Sequence, residues 1–248
     1  MNRIEYRDVS VRYPTARIPT LKEWVVRAAA ARPPAADALR DVTFSIAAGE
    51  AFGIIGGNGA GKSTLLRVAA GIIPPTNGEA ITRGRVAPII ELGTGFEGEL
   101  SGRENVFFNG ALLGRSKKFM KSVVDEIIDF SGIAASIDQP LRTYSTGMVA
   151  RLAFAIATTI EADIVLLDEV LSVGDAEFRE RSEERIRRFH ERGATLLLVS
   201  HDLTAIERIC TRAAWLEKGQ LRMLGDATEV VQAYQGLKVP KPHAAPAR

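Results

Sequence analysis

Cysteine is almost missing from this chain of 248 residues, since Cys210 is the only one. An internal disulfide and a cysteine-rich zinc site are therefore excluded, a reducing compartment is implied, and Cys210 reads as a small apolar core residue. Long apolar runs are missing too. The longest without a charge, Leu152 to Ile160 between Arg151 and Glu161, is too short to cross a bilayer. The opening MNRIEYRDVSVRY alternates apolar with charged residues and lacks the continuous apolar core of a secretory leader. Neither charge sign dominates: the net charge is +2 and basic side chains are interspersed with acidic ones. Without a basic stripe, no nucleic acid is expected as the main ligand. No internal repeat is seen. What remains is a soluble chain, or one held at a membrane through a partner, whose 46% apolar content suffices for one large core, alone or with a subdomain.

Along the chain, Ile4 to Tyr13 and Ala38 to Ile46 alternate like half-exposed strands, and two antiparallel edge strands are expected there. Between them, Thr20 and Glu23 form a capping box, with Leu21, Trp24, Val25 and Ala28 on one helical face before Pro33-Pro34, so residues 20–32 read as an amphipathic helix. Ala51 to Ile55 reads as a buried strand entering a glycine-rich loop and then a helix through Ala70. Ile164 to Leu167 and Thr195 to Val199 read as further buried parallel strands. From Ser101 to Ile160 the pattern is helical, broken at Gly114, Gly132 and Pro140, which implies a helical subdomain (about 98–162) inserted in an α/β core. Residues 237–248 read as a disordered tail.

The sharpest motif is GGNGAGKS, residues 56 to 63, lying between a predicted strand and a predicted helix. Glycines in that position let successive backbone N–H groups converge on phosphate oxygens at a positive helix end. Gly56, Gly57, Asn58, Gly59, Ala60 and Gly61 form the cradle, Lys62 would reach the β- and γ-phosphates, Ser63 would ligate magnesium, and Thr64 follows. More than a hundred residues on, IVLLDE puts Asp168 and Glu169 at the end of a buried strand. There Asp168 would hold magnesium, while Glu169 would orient and deprotonate the water that attacks the γ-phosphate. His201 ends another strand and is placed to sense that phosphate; His190 and His243 read as solvent-exposed.

Between these motifs lies YSTGMVARLAFAIA, residues 144 to 157. With it the chain resembles the ATP-binding-cassette (ABC) family over nearly its whole length, from Tyr13 to about Gly236. The resemblance implies a phosphate-loop NTPase core with an antiparallel β edge and an inserted helical subdomain. It makes Tyr13 the aromatic on adenine, Ser145 and Gly147 the residues that grip the γ-phosphate of an ATP held by the opposite subunit, Asp175 the end of a loop crossing the dimer interface, and His201 the switch histidine. Thr146 and Met148 depart from the commoner signature, and Glu91 in IIELGTGF replaces the usual γ-phosphate-sensing glutamine. A carboxylate there favours magnesium yet repels phosphate, so Glu91 stands as a candidate metal ligand and coupling residue.

These departures, with DEVLSVGD at 168–175 and ELSGRENVFFNGALLG at 99–114, resemble the ATPase subunits of O-antigen and related polysaccharide exporters. The resemblance implies ATP and Mg2+ as cofactors and a homodimer with ATP at its interface. It also implies a separate membrane permease, a lipid-linked glycan as cargo, and a peripheral position on the cytoplasmic side of the inner membrane. The helix at 20–32, with Trp24 beside Lys22, Arg27 and Arg32, matches a gate near the channel entrance or else packs on its own domain. A teichoic-acid or similar exporter is the nearest alternative. A DNA-repair or ribosome-associated ATPase fits less well, because there is one cassette and no heptad insert between Lys62 and Ser145.

Overall fold

Two rows of hydrogen-bonded strands, each with helices packed beside it, organise the computed structural model, which describes residues 1–14, 35–90, 92–169 and 174–238. The helix expected at 20–32, Glu91, residues 170–173 and the tail from 239 lie outside the described residues. The chain divides into two compact units.

The first unit comprises Met1, Ala47–Ala51 and Arg83–Val199. Its strands β5 (Val86–Ile89), β6 (Ile164–Asp168) and β7 (Thr195–Val199) run parallel, Ile164 pairing with both Val86 and Thr195. Parallel strands covered on both faces need apolar side chains on both, and the runs IVLL and TLLLV are buried throughout. Pro88 is tolerated in β5 because that strand pairs along one side only, at the sheet edge.

Helices α2 (Gly102–Leu112), α3 (Lys117–Ser131), α4 (Thr146–Thr159) and α5 (Ala176–Glu191) fill the rest of this unit. Each starts on a side-chain cap. Ser101 and Glu104 form a reciprocal capping box, and Ser116, Ser145 and Asp175 each accept an N–H from the first turn. Gly132 ends α3 in the left-handed conformation, and Gly114 adopts it just after α2, so the breaks expected from the glycines are present. Phe130, Phe154 and Phe178, one from each of α3, α4 and α5, pack with ring centroids 5.6–6.0 Å apart and lock the three helices together.

The second unit comprises Asn2–Ile46, Phe52–Thr82 and Ser200–Arg248. Strands β1 (Asn2–Pro14), β2 (Ala35–Ala47) and β4 (Asn77–Thr82) form a sheet in the order β2-β1-β4, with β1 and β4 antiparallel. Side-chain bonds from Thr43 to Asp8 and from Ser10 to Asp41 step in opposite directions along β1 and β2, which makes that pair antiparallel as well. Asp8 and Asp41 hold left-handed φ values of 51° and 48°, with those bonds securing an otherwise disfavoured backbone.

Also in this unit, β3 (Ala51–Ile55) runs parallel to β8 (Arg212–Glu217), which forms an antiparallel hairpin with β9 (Gln220–Asp226). Helices α1 (Lys62–Ala69), α6 (Leu203–Ile209) and α7 (Ala227–Lys238) complete it. Helix α7 thus runs two residues past Gly236, into the stretch read as a disordered tail. Tyr6 is buried against Phe44, which stacks on Phe52, and its hydroxyl donates to the Leu65 carbonyl of α1. Burial pushes that phenol well above its ordinary pKa. Cys210 is buried as expected, its thiol pushed up to about 12 by burial.

Candidate nucleotide site

The phosphate loop joins β3 to α1, and its shape is fixed by two close backbone approaches. A Cβ on Gly56 would lie 2.3 Å from the Leu216 carbonyl oxygen, and one on Gly61 would lie 2.5 Å from that of Ala38. Both residues also have positive φ, at 151° and 102°, so glycine is required twice over. The loop closes through Ala60 N–H donating to the Gly57 carbonyl and Gly219 N–H donating to that of Ala60. Gly57, Asn58 and Gly59 stay exposed at its tip. A cavity of about 260 Å³ beside the loop is lined by Gly57 to Ala60 with Trp215, Glu217 and Tyr234.

Lys62 is buried, and its ammonium donates to the carbonyls of Gly56 and Gly57 at 3.0 and 3.1 Å. The helix it opens has Gly61 as N-cap and no side-chain cap. The amides of the first turn of α1 are therefore not capped from within, and a fixed cation sits beside them, which suits a polyphosphate. Ser63 stands half-exposed on the same turn, and the Tyr13 hydroxyl lies 3.5 Å from that of Thr64, which ties the end of β1 to α1. His201 is exposed, and the following residue, Asp202, caps α6 by accepting from Thr204 and Ala205.

The remaining predicted residues gather in the first unit. Asp168 is the last residue of β6, opposite Val199 of β7. Glu169 follows with φ 55°, a conformation uncommon outside glycine, held by its N–H donating to the Val199 carbonyl at 3.0 Å. Its side chain is exposed. Ser145 caps α4 by accepting the Met148 N–H at 3.2 Å, and a Cβ on Gly147 would meet only the Ser145 hydroxyl, at 3.8 Å, so the helix tip is open.

Asp175 uses both carboxylate oxygens. One accepts the Phe178 N–H and caps α5; the other pairs with Arg151 of α4 at 2.6 Å. Chiefly the Phe178 N–H, and then Arg151, hold this carboxyl below its ordinary pKa. Arg151 also lies over the Phe178 ring, 5.2 Å from its centroid, so one guanidinium ties α4 to the start of α5. Sequence reasoning missed Arg151. Its only signal was a lone cation six residues past Ser145 in an otherwise apolar helix.

His190 departs from expectation. It is half-buried on α5 with Nδ1 enclosed, because the charged helix still turns its buried residues Phe178, Ser182 and Ile186 inward. Glu91 and His243 lie outside the described residues. Among the described residues, no group of three or more His, Cys, Asp or Glu side chains is arranged to hold a metal. Ser63 and Asp168 each offer an oxygen of the kind magnesium prefers.

A sequence model of the family described as ABC transporter matches residues 39–172. An O-antigen export system ATP-binding protein of Klebsiella pneumoniae is 46% identical over 198 residues, 80% of this chain and 80% of that protein. A teichoic acids export ATP-binding protein of Bacillus cereus is 42% identical over 198 residues, 80% of this chain and 36% of that longer protein. Among solved structures, a dimeric ATP-binding cassette in a post-hydrolysis state, bound to ADP and Pi, superposes with a TM-score of 0.73. It shares 20% identity and covers 90% of this chain and 98% of that one, a likeness of fold.

Proposed function

This chain belongs to the ABC transporter family of transport ATPases, and from that premise we propose that it powers export of a lipid-linked polysaccharide of O-antigen type through a separate membrane subunit. The observation that carries the reading is the phosphate loop, where a buried ammonium is fixed at the mouth of an uncapped helix between two glycines that cannot be replaced without collision. No helix among the described residues is long and apolar enough to cross a membrane. A place on the cytoplasmic face, through that partner, goes with the reading.

Lys62 and the loop amides bind the β- and γ-phosphates, Ser63 and Asp168 hold Mg2+, and Tyr13 faces adenine. When bound, Mg2+ neutralises charge on the phosphate oxygens. Glu169 takes the proton of the attacking water, and its left-handed backbone, pinned by Val199, sets the direction in which the carboxylate leaves the strand. His201 senses the γ-phosphate. Ser145 and Gly147, at the open tip of α4, grip the γ-phosphate held by a second copy, so two chains close around two nucleotides and separate after hydrolysis.

An O-antigen cargo has the 46% identical relative in its support. A teichoic-acid cargo has the 42% relatives in its favour. Membrane-reconstituted Glu169→Gln should lose ATP hydrolysis by about 100-fold or more, the typical worth of a general base, while still binding Mg-ATP. Undiminished turnover in that variant overturns the catalytic assignment. Glycan transport by the reconstituted pair, O-antigen against teichoic acid, decides the cargo.

A further inference from the structure

A cavity of about 590 Å³ lies among α3, α5, the end of α4 and the start of β5 in the first unit, and none of the predicted nucleotide residues lines it. Five guanidiniums do: Arg85, Arg115, Arg185, Arg188 and Arg192. Three are matched. Arg85 pairs with Asp163 and Glu161, Arg185 with Glu126, and Arg188 with Glu184.

The other two are not. Arg115 makes no side-chain hydrogen bond or ion pair among the described residues; its Nε is buried without a partner and its guanidinium lies 5.8 Å from the centroid of the Phe119 ring. Arg192 likewise has no side-chain ion pair among them. Arg185 spends one nitrogen on Glu126 and lies 4.0 Å from the centroid of the Phe130 ring, while its Nη1 is buried with no partner. Burial pulls this guanidinium below its ordinary pKa, an effect that Glu126 only partly offsets. The enclosed donors left over on Arg115 and Arg185 are costly unless an anion completes them, while Arg192 stands exposed at the rim.

The wall also carries three carboxylates, Glu126, Glu161 and Asp163, each paired with Arg85 or Arg185, and the apolar or aromatic side chains of Phe119, Ile160 and Phe189. The volume suits a small organic ligand. Two surplus guanidiniums match the two charges of a phosphate monoester, whose oxygens take the forked donors of arginine, and the aromatic wall takes an apolar substituent.

We propose that this cavity is a second anion site, distinct from the nucleotide site, which binds a phosphate monoester carrying an apolar group through Arg115 and Arg192. The chemistry is shared by a free metabolite and by a phosphomonoester lipid headgroup. Phenyl phosphate is titrated calorimetrically into the full chain held in saturating Mg-ADP, and the chain is separately sedimented with phosphatidylcholine vesicles with and without phosphatidic acid. Saturable phenyl phosphate binding, absent with phenol and at least about tenfold weaker in Arg115→Gln/Arg192→Gln, is expected for a free ligand. Arginine-dependent sedimentation with phosphatidic acid assigns the headgroup. Unchanged Mg-ADP affinity reports that the double variant is folded; if it is lost, Arg192→Gln alone, at an exposed position, carries the comparison. Absence of saturable binding in both arms, or binding that ignores these substitutions, overturns the proposal.

Discussion

Asp175 shows how one side chain can serve two elements and leave a pH signature. Its carboxylate caps α5 and pairs with Arg151, and both contacts favour the ionised form, so its pKa lies below the ordinary 3.8. A depressed carboxyl pKa contributes stability that is fully present above the unfolded value and is lost as pH falls through the folded one. Asparagine caps helices about as well as aspartate, so Asp175→Asn removes the charge pair and keeps the cap. The variant should melt slightly below wild type at neutral pH, and the gap should close as pH is lowered below 3.8. The gap is small because the Asp175 side chain is 60% exposed and water screens the pair. Melting curves across about pH 3 to 7 check this; a gap that does not vary with pH would mean that the ion pair contributes nothing.

Helix α4 raises a question of role, since Ser145 would cap its own helix and also grip a phosphate. The two roles separate by substitution. Ser145→Ala loses the bond from the Met148 N–H and should cost about 1 kcal/mol of stability, the usual worth of an N-cap. Ser145→Asp restores a cap, and with it the melting temperature, yet sets a carboxylate against the γ-phosphate. If the serine serves phosphate, the aspartate variant is stable and inactive; an active one reduces Ser145 to a cap.

At this same scale, elements whose local chemistry agrees with their fold were legible. Strands β3, β6 and β7 are continuous apolar runs, and α2 and α3 end at the glycines read as breaks. Strands β4, β5, β8 and β9 were not. NGEAIT in β4 has no buried residue, Pro88 interrupts β5, and β9 alternates around charged residues, so tertiary pairing decides them. The phosphate loop was readable because its glycines meet a local need for positive φ, although the backbones that crowd Gly56 and Gly61 lie far along the chain. The Arg151–Asp175 tie was not, because 24 residues separate its partners and only packing brings them together.

For the whole molecule, the decisive expectation concerns assembly. If the γ-phosphate is shared between the loop of one copy and the α4 tip of another, nucleotide is part of the interface and association is linked to its binding. Each ATP then contributes to self-association in proportion to how much more tightly the dimer holds it than the monomer does. Wild type hydrolyses that contribution away, so its dimer is transient. Glu169→Gln keeps the phosphates in place and should sediment at twice the monomer mass in Mg-ATP, but as a monomer in Mg-ADP or without nucleotide. Adding Ser145→Asp to that variant should return it to monomer while leaving Lys62 and its loop free to bind ATP. Sedimentation velocity over a range of protein concentrations distinguishes the outcomes. A dimer equally strong in ADP would place the interface away from the γ-phosphate, and a Glu169→Gln monomer in saturating Mg-ATP would remove the shared-phosphate machine altogether.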